Sequence, residues 1–351
     1  GEHFKTVLYR GDGNNVHSIT GVGFQPDLVW IKERTNTSSH QWHDSVRGAG
    51  NVLFSNATNA ESYSATYLYS LDSDGFTLGT SGGVNASTDD YVAWCWKAGG
   101  AAVSNTDGAL TSQVSVNQAA GFSIASYTTP GTATNFGHGL GKKPAFALFK
   151  AKNDTGNWAV YHQSLGTNTI RLSTTDAQDT SADAFNGTAP TDTLMYLGTW
   201  AGTNGSNVNW VSYLWSEIEG FSKFGSYTGN GNADGPFVYC GFKPAWIMIK
   251  PYGSPSDSCY SGGYTSWSIY DSSRSPVNNA TMHERVLFAN RNYAEGKRGN
   301  GASSGAFQNL DFVSNGFKIR GNSNCETNTT SINGFIFAAF AESPFQTANA
   351  K

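Results

Sequence analysis

The chain has 351 residues, more than one ordinary domain needs, and a formal charge of −4 from 22 basic and 26 acidic side chains. That balance excludes a nucleic-acid partner, which calls for a clustered basic surplus, and no Lys/Arg run exceeds two residues. No apolar run reaches the ~18 residues of a membrane span, and 14% charged residues with 41 glycines and 13% aromatics describe an all-β chain of short strands and many turns.

In chain order, FKTVLY (4–9) reads as a strand. GFQPDLVWIK (23–32) reads as a Pro-opened apolar strand stopping at Lys32, and VLFSN (52–56), DGFTLG (74–79) and YVAWCWKAGG (91–100) follow. Segment 101–120 is small and polar and reads as a linker with room for one short strand. The order then recurs as FSIASY (122–127), GLGKKPAFALFK (139–150), IRLST (170–174), LMYLGT (194–199) and WVSYLWSEIEG (210–220). It recurs again as FSKFGSY (221–227), GFKPAWIMIK (241–250), VLFAN (286–290), NGFKIR (315–320) and FIFAAFAESPF (335–345). Landmarks repeated in one order mark internal repetition. The expectation is three tandem β-sandwich units, lectin- or jelly-roll-like and of about 100–125 residues: 1–100, 121–219 and 220–351, with 101–120 as linker. Units two and three join without a linker and are expected to pack rigidly, with unit one freer. Hairpins are expected in 67–79 and 307–320, with Asp74-Gly75 and Asn315-Gly316 supplying positive φ at the turns. Lys32, Lys150 and Lys250 are expected to hold their ammonium groups in water while their stems cover apolar surface.

Several of these phrases carry a resemblance. FKTVLYRGDGN, ITGVGFQPDLVWIK, DSVRGAG and YVAWCWKAGG in the first unit, VSVNQAAGFSIASY in the second and WSEIEGFSKFGSYTGNGNADGPFVYCGFKPAWIMIK in the third are similar to a repeated domain of unknown function. That domain is found in tail-fibre and other virion structural proteins of tailed phages, mainly marine ones. The resemblance implies a place on the external surface of a virion, other virion subunits as partners and a homo-oligomer, with a trimer as the guess for a fibre. It supplies no catalytic residues.

Candidate chemistry is sparse. Asp44 and Arg47, and Asp271 and Arg274, hold the same place in units one and three, where unit two has His162 and Leu165. Each pair reads as an ion pair or turn brace worth about 1 kcal/mol if half exposed. The carboxylates Asp72, Asp74, Asp89, Asp90, Glu217, Glu219, Glu284 and Glu295 sit mostly in turn sequences, and no two pair off as a glycosidase requires. His40, His43, His138, His162 and His283 lack zinc-ligand spacing, and there is no GxSxG elbow or phosphate-binding loop. The DSDG turn at 72–75 starts like a calcium loop but lacks the remainder. No enzyme activity, metal or cofactor is therefore expected. Cys95 and Cys240 read as buried thiols; Cys259 and Cys325 lie in polar loops and are candidates for a disulfide in an oxidising milieu, four cysteines allowing three full pairings.

The third unit differs from the others in loop length. Seventeen positions separate Lys250 from Trp267, against eight from Lys32 to His40 and eight from Lys150 to Trp158. The added stretch, 251–266, brings Tyr252, Tyr260 and Tyr264 amid Ser and Gly, which is rigid aromatic area beside adaptable hydrogen bonding. Asn322 and Asn324 lie in a second lengthened stretch. If the 307–320 hairpin adds one strand, both loops share one end and a Cys259–Cys325 bridge pins them. If the strand count is off by one, they lie at opposite ends and no bridge forms. The resulting expectation is a phage virion surface protein, in a tail fibre or similar appendage, attaching non-covalently to a host-surface glycan through these five residues. A purely structural virion subunit, a polysaccharide-degrading enzyme and a bacterial surface adhesin are the alternatives.

Overall fold

Pro26, Pro144 and Pro244 fix φ at the mouth of each repeated apolar run, and a glycine ahead of each turns the chain into it. Gly23, Gly141 and Gly241 adopt φ of 86°, 67° and 84°, a region that side chains disfavour, which explains the glycine in the repeated phrase. The structure, a computed structural model, describes residues 2–254, 259, 265–276, 278, 285–298, 302–303, 310–320, 325–332 and 334–342.

The chain is nearly all β, in several antiparallel sheets, with two short helical turns at Gly82–Asn85 and Gln163–Leu165 among the described residues. Three main sheets carry the apolar runs. The first orders its strands Phe4–Arg10, Asp90–Trp96, Leu28–Glu33, Gln41–Asp44, Asn51–Phe54 and Ser62–Tyr63. The third orders Ser222–Tyr227, Phe335–Phe340, Trp246–Pro251, Ser268–Asp271 and Leu287–Phe288. The second runs Phe122–Thr129, Val208–Trp215, Phe146–Ala151, Ala159–His162 and Thr169–Arg171. It is extended at the Phe122–Thr129 side by Ser112–Asn117 and then Val103–Asn105. Segment 101–120 thus gives two strands to the sheet rather than serving only as a linker: the alternation of Val114 and Val116 with polar neighbours gives the longer one a face to bury.

Each main sheet is covered on both faces, which is why its central strands read as continuous apolar runs. One face meets a small outer sheet. Ile19 and Phe76 pack on Val29, Ile31 and Ala93 in the first unit, and Phe136 and Met195 on Ala147 and Phe149 in the second. The small sheet of the third unit pairs Phe237–Tyr239 with Gly316–Ile319 and that strand with Leu310–Val313.

Both expected hairpins are present, but their turns differ from expectation. Asp72 pairs with Gly75 and Val313 with Gly316, so the turn residues are Ser73-Asp74 and Ser314-Asn315, none of which has positive φ. Gly75 and Gly316 open the returning strands. A Cβ there would lie 1.9 Å from the Ile19 carbonyl oxygen and 2.0 Å from that of Val238, so the glycine serves close strand approach. Asp74 accepts from the Gly21 and Gly23 amides at 3.1 and 2.6 Å, bracing the turn before Pro26.

The other faces of the three main sheets meet one another. Trp30, Trp42, Trp94 and Trp96 of the first, Trp158, Tyr213 and Trp215 of the second and Trp246 and Phe340 of the third belong to one buried cluster. Ring centroids lie 5.1 Å apart for Trp42–Trp158, 6.0 Å for Trp96–Trp215, 6.3 Å for Trp94–Trp246 and 6.2 Å for Trp215–Phe340. Each sheet therefore touches both others. The first unit contributes to this core as fully as the rest, contrary to the freedom expected of it, because indole rings of this size need partners from more than one sheet.

Candidate functional site

The residues that drew attention in the sequence fall largely at the seams between sheets. Lys32, Lys150 and Lys250 are wholly buried, not at a watered strand end. The strand runs into a seam, where carbonyls replace water around the ammonium. Lys150 Nζ donates to the carbonyls of Thr58, across the seam, and Gly156 at 3.1 and 2.9 Å. Lys250 Nζ donates across the next seam to Thr175 and Asp176 at 3.2 and 2.9 Å, and to Thr265 at 2.8 Å. Lys32 donates to the Glu33 carbonyl. Burial disfavours the charged form, lowering Lys32 to about 7 and Lys150 to about 8, and Lys250 well below its ordinary value.

The carboxylates follow the same plan. Asp44 and Arg47 form an ion pair with no exposed side-chain surface, as do Asp271 and Arg274 at 2.5 Å. Arg47 also reaches Glu61 at 2.9 Å, and Arg274 reaches Glu295 at 3.0 Å. Burial opposes the Arg47 charge, but Asp44, Tyr213 and Glu61 outweigh it and hold its pKa above the ordinary value. Each aspartate also accepts from a neighbouring sheet: Tyr213 Oη donates to Asp44 at 2.7 Å and Trp94 Nε1 to Asp271 at 3.0 Å. Tyr213 and Trp94 hold equivalent places in their strands, opposite Leu148 and Trp30. At the third seam that place is Ala338, opposite Met248, which has nothing to donate. There the aspartate position is His162. Its Nδ1 accepts from the Ser164 amide at 3.1 Å, so Nε2 carries the proton and donates to the Phe337 carbonyl at 3.0 Å. The exchange of Asp for His in unit two thus tracks the exchange of a donor for an acceptor in unit three.

Tyr252 belongs to this set. Arg34, Lys152 and Tyr252 each donate a backbone amide to the last strand of their own sheet, to Asp90, Asn209 and Gly334 at 2.8, 2.7 and 3.1 Å. Each then accepts across a seam, from the amides of Glu295, Glu61 and Gln178 at 2.9, 2.8 and 3.3 Å. Arg34 adds a charged pair with Glu295 at 2.8 Å. The Tyr252 ring is half-buried against the shared core and lies over Gly334, where a Cβ would sit 2.6 Å from its Oη. Its placement is that of a seam residue. Tyr260, Tyr264, Asn322 and Asn324 lie outside the described residues. Cys259 and Cys325 are joined by a disulfide across 66 positions of sequence, with Cα atoms 5.6 Å apart, and Cys95 and Cys240 are buried thiols whose pKa burial pushes up.

His40, His43, His138 and His162 are also interior, and His283 lies outside the described residues. Trp30 Nε1 donates to His40 Nδ1 at 2.8 Å, and the His43 ring lies 2.8 Å from the Ala49 carbonyl. Burial lowers His40 well below its usual value and His43, His138 and His162 to about 4, so all four are neutral at pH 7. Among the described residues no His, Cys, Asp and Glu side chains cluster to hold a metal ion, and no helix is long and apolar enough to cross a membrane. A shallow polar depression of about 400 Å³ opens beside Lys152, lined by Gln113, Thr128 and Asn209, with the ammonium held by Ser126 Oγ at 2.9 Å.

Phe237 and Tyr239 attract no notice in the sequence. They alternate with buried Val238 on the third unit's outer sheet and are 48% and 63% exposed. The signal that finds them is comparison between units. Val238 faces Phe317 as Ile19 faces Phe76, so Phe237 and Tyr239 stand where unit one has exposed Ser18 and Thr20.

Residues 1–344 match the family model described as Domain of unknown function (DUF7483). No curated protein matches the chain.

Proposed function

The chain belongs to this family of unknown function, and from the resemblance of its sequence phrases to a domain of tailed-phage virion proteins we propose that it is a phage virion surface protein, in a tail fibre or similar appendage, that attaches non-covalently to a host-surface glycan. It is read as three two-sheet sandwich repeats closed on one another, the first two serving as scaffold and the third as the recognition lobe. The observation that carries this reading is the departure of the third repeat from the others. It alone lengthens the chain between Lys250 and Trp267 and ties the lengthened parts with Cys259–Cys325. Loops held on a rigid body are where recognition surfaces are built, and pinning them lowers the entropy lost on binding.

A second reading, a purely structural virion subunit, is favoured by the seams. Their buried charges and aromatic rings are spent on holding three sheets together. The two separate on binding to intact bacterial cells before and after periodate oxidation, which cleaves the vicinal diols of sugars. The attachment reading expects saturable retention on some strains, abolished by periodate. Retention on none, or retention that survives periodate and is lost on protease treatment of the cells, overturns it.

A further inference from the structure

We infer that the outward face of the third unit's small sheet, Phe237 and Tyr239 with Lys318 and Asp234, is a stacking platform for two successive sugar rings of a neutral glycan. The inference rests on the attachment reading and names a site for it. Two rows of side chains face outward there. Phe237, Lys318 and Asp311 stand abreast in one, and Tyr239, Gly316 and Val313 in the next. Unit one builds the same rows from Ser18, Thr77 and Ser70, then Thr20, Gly75 and Asp72. In unit one the Ser18 and Thr77 hydroxyls lie 3.2 Å apart, and Thr77 donates to Asp72 at 2.7 Å. Ser and Thr therefore suffice for the sheet, and two exposed aromatic rings in the same register are not a folding requirement. Two neighbouring exposed rings without a folding role are left available to a small ligand.

The size and flanks of the patch select the ligand. Residues two apart on a strand lie about 6.7 Å apart on one face, so the rings form a flat strip rather than one stacked pair. Half-exposed rings offer on the order of 200 Å² together, well below the roughly 800 Å² a side of a stable protein interface. The strip is bordered by paired charges, Lys318 to Asp234 at 2.8 Å and Arg320 to Asp311 at 2.6 Å. Two carboxylates balance two cations, so the border selects for neither sign while offering donors and acceptors side by side. A pyranose presents an apolar C–H face to a ring and hydroxyls at its edge, which matches rings bordered by such pairs. The Tyr239 ring lies along its own strand, where a Cβ at Gly241 would sit 3.5 Å from its hydroxyl, and the residue is 63% exposed.

The test is retention of the whole chain on immobilised neutral hexose and N-acetylhexosamine oligosaccharides, for wild type, F237S/Y239T and Y239F. The double variant copies unit one's residues and is expected to melt as wild type. Wild type is expected to bind, F237S/Y239T to bind at least about tenfold more weakly, and Y239F, which keeps the ring, to bind within a few-fold of wild type. Should the double variant melt lower, Tyr239→Thr alone is scored by the same criterion. Undiminished binding by the variant lacking the rings overturns the platform and leaves the attachment reading standing. Failure of wild type to bind any of these while binding an acidic glycan also overturns the platform alone. Failure to bind any glycan overturns both.

Discussion

Replacing Asp44 by Ala tests whether the seams hold the molecule together. The carboxylate is fully buried. Its Oδ1 accepts from the Val46 and Arg47 amides at 3.0 and 2.8 Å, and its Oδ2 from Arg47 Nε and from Tyr213 Oη at 2.7 Å. Removal leaves the buried Arg47 guanidinium with Glu61 at 2.9 Å and the Trp42 carbonyl at 2.8 Å as remaining partners, and strands three further donors. Breaking one side of a buried pair costs about 3–5 kcal/mol, against about 1 kcal/mol for the half-exposed brace expected from the sequence. Tyr213→Phe removes one donor while Asp44 keeps the others, so it is expected to cost about 1–2 kcal/mol. The assay is urea unfolding followed by tryptophan fluorescence, since eight of the ten tryptophans sit in the shared core. A single transition is expected to move to lower urea with its slope unchanged. A loss below about 1 kcal/mol, or a split transition in which part of the signal stays in place, would refute the reasoning, because independent units would melt separately.

Three further outcomes follow from the same contacts. His162→Asp places a carboxylate opposite the Phe337 carbonyl, which can only accept, so a loss of about 3 kcal/mol or more in the same assay is expected, and a neutral result contradicts the donor-for-acceptor account. His43, His138 and His162 have folded-state pKa values lowered to about 4 by burial, so the unfolded chain binds more protons between pH 6.5 and 4. Stability is then full above about pH 6.5 and falls as pH drops toward 4, by on the order of 3 kcal/mol per histidine; melting temperatures flat across that window would contradict it. Cys259→Ser opens a cross-link spanning 66 positions and is expected to cost up to about 4 kcal/mol by chain entropy, read as a fall in unfolding midpoint that reductant reproduces in wild type.

The β character was legible because alternation and apolar runs are local signals, and hairpins fall in both expected segments, though each turn sits one residue earlier than the Asp-Gly or Asn-Gly pair expected to form it. The seams were not legible. Lys150 ends its strand just as a surface lysine would, and only the Thr58 and Gly156 carbonyls brought to it by folding explain its burial. Nothing in one unit's sequence says that a second unit will cover it. Tyr252 looked like recognition chemistry because it sits at the head of a Ser/Gly-rich insertion, yet its equivalents Arg34 and Lys152 show it to be seam. His162 in place of aspartate was visible as a difference, but its cause, the missing donor at Ala338, lies 176 positions away. Phe237 and Tyr239 escaped notice because exposure is a tertiary property. Aligning them with Ser18 and Thr20 needs the strand register, which the sequence alone leaves open.

The measurement that bears most directly on the attachment account is the position of this chain in an isolated virion by electron cryo-microscopy. The account predicts a distal position with the third unit outward, its small outer sheet and the Cys259–Cys325 loops facing solvent. A position in which those surfaces are buried against other subunits would contradict it and make the chain a structural subunit.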